Sequence, residues 1–344
     1  MMIPVPFTAR GFSTFYEEVS DGGKNQKNKR KEGKNMIKLD NEICIIGFDD
    51  GYQLGKTANF IFDNGVHFLG SAEPTLKENS LFYDGEFFKV GEGRSAITVD
   101  KLSDDAAARL RTTAGIAMEL RREGICNADV VLAVGLPFSN YGRDKLKLID
   151  YYNQHKVLDF SYEGEEYSIN IVKVIVCPQC YSAIASRLGN MKGDYLIVDI
   201  GSKTTDVVYV QNGLPAESRS ITIEKAMVKW MKEIQHEMKV QTGKEIPEHE
   251  IMKVALKEDS NLPAAYTELI RGMLREKIHS LELELAERGY DLDYINIIYV
   301  GGGARIAKDY AGKYRGHTAY DCDLCSNAKG YEFLARQIEG KQVG

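Results

Sequence analysis

The chain contains no apolar run approaching the ~18 residues needed to cross a bilayer, and its start lacks the charged-then-apolar pattern of a secretory signal. It is poor in cysteine. Six in 344 residues are too few for a disulfide scaffold, so a reducing, cytoplasmic setting is expected. Positive charge is not in excess either: 44 Lys and Arg against 50 Asp and Glu leave a net −6, unlike a protein that coats DNA with its whole surface. No G-x-x-x-x-G-K-[ST] occurs anywhere, and no G-x-G-x-x-G follows an early strand, which excludes a P-loop and disfavours a dinucleotide-binding domain. The six histidines share no ligand spacing. What remains, 43% apolar and 27% charged, is ordinary globular material. At roughly 150 residues per domain the length suggests about two.

Charge is concentrated in one place. Between Lys24 and Lys38 seven basic residues stand against Glu32 alone, leaving the rest of the chain at about −12. Residues 21–35 carry no apolar side chain, so they cannot bury enough surface to offset their own ordering entropy. They read as a solvated linker, with a polyanion contact as the alternative. Residues 1–35 form a basic, flexible extension in this reading.

From Ile37 onward, strand and helix patterns alternate. The β-branched run 42–48 predicts a strand buried on both faces, and Thr57–Phe62 a second strand. Residues 103–123 predict a helix with Ser103 as N-cap, Asp104 and Asp105 in its first turn, and Gly124 as its stop. Strand 130–134 follows, then a helix over 141–155 and a hairpin of 157–162 with 167–176. A second round opens with strand 195–200, strand 206–210 and an Asn212-Gly213 turn, with 216–223 pairing back. Helices are expected at 224–240, 248–257 and 262–288, a strand at 294–300 and a last helix at 326–339. Two rounds of strand, acidic turn and strand predict a two-lobed α/β protein duplicated in architecture.

The chemistry gathers at strand ends. In Asp49-Asp50-Gly51-Tyr52-Gln53-Leu54-Gly55-Lys56, a buried strand feeds a glycine turn, and a lysine follows on the next strand. Backbone amides and an ammonium suit phosphate, while a carboxylate suits a metal that bridges phosphate oxygens. Asp199-Ile200-Gly201-Ser202-Lys203-Thr204-Thr205-Asp206 repeats the arrangement some 150 residues later. One such turn is commonplace; two, each opening a lobe, would grip one polyphosphate and its Mg²⁺ from both sides. After the late strand, Gly301-Gly302-Gly303-Ala304 opens a helix and lets a flat ligand or phosphate approach bare backbone.

These residues resemble the superfamily of actin, sugar-kinase and heat-shock-chaperone ATPases over about residues 42–339. Ile46–Lys56 is similar to its first phosphate loop, Val198–Val207 to its second, and Val300–Ala304 to its adenosine loop. Val134-Gly135-Leu136-Pro137 and Ser326-Asn327-Ala328-Lys329-Gly330 resemble segments of the bacterial plasmid-segregation actins (ParM-type), with serine in place of the usual first alanine of the closing helix. The resemblance implies an actin-like two-lobed α/β fold of duplicated ribonuclease-H-like domains with a nucleotide cleft between them. Lobe I would comprise 36–177 plus 322–344, and lobe II 178–321.

It further implies ATP as ligand, with GTP left open, and Mg²⁺ held through water by Asp49 and Asp199. Lys56 would contact the β and γ phosphates. Gly51, Tyr52, Gln53, Gly201, Ser202, Lys203 and Thr204 would cradle phosphate, and Gly301, Gly302, Gly303 and Ala304 would back the adenosine. Gln179, read at the start of a crossover helix, would orient the attacking water. Tyr52 departs from the small hydroxylated residues usual in that loop. The implied function is a slow ATPase forming homopolymeric filaments, which move plasmid DNA through a DNA-binding adaptor (ParR-type), with no direct DNA binding by the main body and no membrane. A small-molecule kinase or phosphatase, or a cell-shape or division scaffold, are the alternatives.

Cys177-x-x-Cys180 and Cys322-x-x-Cys325 fall at the two expected crossings between lobes. Their 141 intervening residues far exceed usual zinc spacing, so packing is the first reading and a zinc or redox site the second. Cys44, Cys126 and Trp230 read as core.

Overall fold

The computed structural model describes residues 38–39, 43–93, 106–314 and 317–342. The chain divides into two compact units: one built from the chain up to Gly189 together with Asn327 onward, the other from Asn190–Ser326. The basic run at 24–38 and the expected cap at Ser103 with Asp104 and Asp105 lie essentially outside the described residues.

In the first unit the strands are β1 (Lys38–Leu39), β2 (Ile43–Asp50), β3 (Leu54–Lys56), β4 (Ile61–Asp63), β5 (Val66–Gly70), β6 (Ser80–Tyr83), β7 (Glu86–Val90), β8 (Asn127–Leu136), β9 (Val157–Tyr162) and β10 (Glu165–Pro178). They form one sheet in the order β4-β3-β2-β8-β10-β9-β6-β7-β5, with β1 beside β2. β2, β8 and β10 run parallel at its centre. The central residues Cys44, Ile45, Ile46 and Phe48 are all buried, as expected of a strand covered on both faces. Helices α1 (Ala106–Arg122) and α2 (Tyr141–Asn153) belong to the same unit. Gly124 (φ +71°) ends the α1 segment where a side chain would be strained.

The sequence expectation of one strand over Thr57–Phe62 is corrected. Thr57 Oγ1 accepts the amides of Asn59 (3.3 Å) and Phe60 (2.9 Å), and this side-chain turn takes residues 57–60 out of the strand, so that β3 ends at Lys56 and β4 starts only at Ile61. Cys126 is likewise half-buried rather than core, its thiol donating to Glu165.

α7 (Ser326–Gln342) closes the first unit through three glycine contacts. A Cβ at Gly47 would lie 2.2 Å from the Ala328 carbonyl oxygen, one at Gly135 1.9 Å from Tyr331 Oη, and one at Gly330 1.8 Å from the Ser182 carbonyl oxygen. Each glycine is there because backbone or ring occupies the place of its side chain. Glu332 is buried in the same seam, where it accepts the Gly47 amide and pairs with Arg336; burial pushes its carboxyl up to about 7.

The second unit holds β11 (Asp194–Ile200), β12 (Thr205–Gln211), β13 (Leu214–Pro215), β14 (Ile221–Ile223), β15 (Asn296–Val300) and β16 (Thr318–Asp321), in the order β13-β12-β11-β15-β16 with β14 beside β12. Its helices are α3 (Met227–Thr242), α4 (Glu248–Ala255), α5 (Ala264–Glu287) and α6 (Gly302–Tyr310). Asn212 (φ +51°) and Gly213 (φ +82°) make the expected hairpin turn. The return strand over 216–223 is interrupted: Ser220 Oγ accepts the Tyr209 amide and donates to the Ala216 carbonyl, so only 214–215 and 221–223 pair with β12. Trp230 is 4% exposed among Met227, Met231 and Ile234 in this unit's core. All six cysteines are free thiols, and among the described residues no three His, Cys, Asp or Glu side chains are grouped to hold a metal ion. No described helix is long and apolar enough to cross a membrane.

Candidate functional site

Asp49 is the penultimate residue of the central strand β2 and is 3% exposed. A carboxylate so buried needs charged or polar partners, and it has them. Lys56 Nζ lies 2.8 Å from Oδ2, directly across the β2–β3 pair. Gln179 Nε2 donates to Oδ1 at 3.0 Å. Gln179 follows the end of β10, two strands away in the sheet. The structure therefore gathers three of the first unit's expected site residues into one cluster. It also corrects where Gln179 sits: β10 continues to Pro178, and the helical segment that follows is a 3₁₀ turn over Ser182–Asn190, so the glutamine occupies a strand-end turn rather than a helix start.

The neighbouring Asp50 does something different. Arg111, 5% exposed on α1, holds it with two parallel bonds of 2.8 and 2.9 Å. Asn64 supports the rest of the turn, its amide donating to the Gln53 carbonyl at 3.0 Å and its side chain to the Tyr52 carbonyl. Tyr52 and Gln53 are thus placed by their backbones. A Cβ at Gly51 would lie 2.6 Å from the Leu54 carbonyl oxygen, so this turn accepts only glycine without shifting. Arg111 and Asn64 were not among the sequence candidates. The signal for Arg111 is a basic residue that runs directly into the small, apolar stretch of α1, where burial demands a counter-charge.

The second unit repeats the geometry. Asp199 is the penultimate residue of β11, opposite Asp206 on β12, as Asp49 is of β2, opposite Lys56 on β3; in both the partner is seven residues on. Here the opposed residue is an acid. Asp206 is 5% exposed and accepts the hydroxyls of Thr222 (2.6 Å) and Thr204 (3.4 Å). The intervening loop is closed by the Gly201 amide donating to the Thr204 carbonyl, and anchored by the Met227 and Val228 amides of α3 donating to the Gly201 and Ser202 carbonyls. Lys203 lies in that loop and is exposed.

Beside it, β15 runs parallel to β11 with Val300 opposite Asp199. Gly301 then takes φ +71°, and a Cβ on it would sit 2.9 Å from Asp199 Oδ1. A Cβ on Gly303 would sit 2.3 Å from that of Ile200. These close approaches bring the start of α6, with Gly302 and the buried Ala304, against the end of β11. The second unit thus brings Asp199, the 201–204 loop and the glycine run to one sheet end.

Chemically, each unit offers a strand-end carboxylate beside a glycine-shaped turn, buried at Asp49 and half-buried at Asp199. The first adds an ammonium that matches an anion and a neutral carboxamide that can orient a water molecule, though it is too weak a base to take the proton outright. Asp49 already has both oxygens engaged by side chains, which suits a hydrated cation contacted through its water shell, as Mg²⁺ prefers.

Two family models match separate parts of the chain. One, for the N-terminal domain of actin-like proteins, matches residues 66–181; the other, for the C-terminal part of the archaeal actin homologue, MreB-like, matches residues 197–310. A search of curated proteins returns no match. Solved structures share the fold at low identity. The apo psk41 ParM protein superposes with a TM-score of 0.66 at 19% identity, covering 88% of this chain and 100% of its own. The archaeal actin homologue Ta0583 in complex with ADP gives 0.64 at 22% identity, covering 85% and 99%. The Alp12 filament structure gives 0.62 at 16% identity, covering 88% and 99%.

Proposed function

We propose that this chain, an actin-like protein with the two-domain fold of that family, is a nucleotide-dependent filament-forming ATPase. The observation that carries the proposal is the cluster at the end of β2, where Asp49 is held between Lys56 and Gln179. The ADP complex of Ta0583 and the filament of Alp12 support nucleotide binding and self-assembly as the context.

In this mechanism Lys56 matches the charge of the β and γ phosphates, and the turns at Gly51–Gln53 and Gly201–Thr204 present backbone and hydroxyl groups to them. Gly301, Gly302, Gly303 and Ala304 back the adenosine. Gln179, having spent its Nε2 on Asp49, keeps its carbonyl oxygen for a water molecule and orients it for attack. No strong base is present in this cluster, so hydrolysis is slow and assembly sets its timing. Mg²⁺, held through water by Asp49 and Asp199, would neutralise charge on the phosphate oxygens. In the cell, the filament would move plasmid DNA through a separate DNA-binding adaptor, which agrees with a net-acidic chain.

Electron microscopy and light scattering of the purified protein test this. Filaments with ATP, persistent filaments with a non-hydrolysable analogue and none without nucleotide are expected. Scattering that never rises with ATP, together with phosphate transfer to a small molecule, would replace this reading with that of a metabolic kinase.

A further inference from the structure

The residue after Gln179 is in a conformation that a side chain resists. Cys180 has φ +67°, is fully buried, and is not glycine. The Tyr181 amide donates back to the Gln179 carbonyl at 2.8 Å, so Cys180 is the centre of a left-handed γ-turn, a rare and strained form. Such a turn persists only where its surroundings over-determine it.

The surroundings do so here. The Gln179 amide donates to the Leu136 carbonyl at 2.8 Å, and Ser182 Oγ donates to the Pro178 carbonyl at 2.6 Å. α7 supplies two further restraints. Gly330 packs flush on the Ser182 carbonyl, and Asn327 Oδ1 accepts the Cys180 amide at 3.0 Å. Asn327 is 7% exposed, so this bond forms away from water. It is also the restraint that acts on the strained residue's own peptide.

We infer that Asn327 is a positioning residue for Gln179: it pins the γ-turn at Cys180 in the geometry that delivers the Gln179 side chain to Asp49, and so sets the rate of hydrolysis without touching nucleotide. This inference rests on the reading of Gln179 given above. Without the Asn327 acceptor, Cys180 relaxes toward negative φ, the 179–180 peptide plane rotates, and the glutamine leaves the carboxylate.

The test is ATP hydrolysis by the full chain under four substitutions. Asn327→Ala lowers kcat at least about tenfold while KM stays within about twofold, because misorientation affects the reacting geometry and not binding. Asn327→Asp, which keeps an acceptor oxygen in place, recovers most of the rate. Cys180→Gly accepts positive φ without strain, so the Asn327→Ala loss shrinks to a few-fold in that background. Equal losses in kcat and KM, an Asn327→Asp variant as slow as Asn327→Ala, or an undiminished loss beside Cys180→Gly each overturn the inference. Gln179→Ala, run alongside, separates the two levels. Hydrolysis insensitive to Gln179→Ala overturns the reading of the site, whereas slow Gln179→Ala with normal Asn327→Ala overturns the positioning role alone.

Discussion

Gln179 Nε2 and Lys56 Nζ take the two carboxylate oxygens of Asp49 separately, at 3.0 and 2.8 Å, so the charge and the amide are fixed relative to one another through a single buried acid. Removing the amide leaves the charge contact intact. Gln179→Ala is therefore expected to slow phosphate release by about 100-fold, the scale of a lost water-orienting group, while nucleotide affinity changes by no more than a few-fold. Single-turnover hydrolysis beside equilibrium binding checks this; parallel losses in both would assign Gln179 to binding.

Gly301 combines a positive φ with a close approach to the Asp199 carboxylate. Alanine there costs about 1–2 kcal/mol in backbone strain alone and pushes on the carboxylate. Gly301→Ala is expected to weaken binding of a fluorescent ATP analogue at least tenfold, with a modest fall in Tm. Wild-type affinity would remove the glycine run from the nucleotide site.

The buried Glu332 makes stability depend on pH. Its carboxyl is raised from 4.5 to about 7, chiefly by burial, so between those values the folded chain holds a proton that the unfolded chain has released. Stability from this group is thus highest below the unfolded pKa and declines as pH rises to about 7. The decline is on the order of 3 kcal/mol, taking about 1.4 kcal/mol per pH unit. Glu332→Gln, which can still accept the Gly47 amide, should flatten that slope and gain on the wild type toward pH 8. Urea titrations at pH 5 and pH 8 measure it, and parallel curves for the two proteins would refute it.

The contact between Gly135 and Tyr331 predicts an over-packing penalty. Gly135→Ala places a methyl 1.9 Å from Tyr331 Oη and 2.3 Å from its Cζ, both in a fully buried ring. A loss of roughly 3 kcal/mol is expected. Because the hydroxyl is the nearest obstacle, a double-mutant cycle with Tyr331→Phe should show coupling of about 1 kcal/mol or more. Additive effects would mean that the strand accommodates the methyl elsewhere.

Much of the frame is legible in the residues because it repeats. An apolar β-branched run that ends in aspartate and glycine announces a strand and its turn, and the run occurs twice. The glycine triplet after β15 is legible because three glycines in a row close an apolar run. The rest is tertiary. Arg111 meets Asp50 across 61 residues and Cys180 meets Asn327 across 147, and no periodicity encodes such pairs. Cys180 gives no local sign of positive φ, since glycine or asparagine would be the usual residue there. The break between β3 and β4 depends on one threonine hydroxyl inside a run that otherwise alternates like a strand. The three strands β5–β7 are obscured because Phe82, Phe87 and Phe88 are each half-buried, so neither face reads as clearly inside.

The glycine-lined seat of α7 bears on the order of synthesis. Every residue of the second unit is made in one unbroken stretch, 190–326, and can complete its core as soon as that stretch has left the ribosome. The first unit has no such freedom. Gly47 and Gly135 wait for residues of one helix, Ala328 and Tyr331, translated 281 and 196 residues after them, so the earlier-made half is finished last.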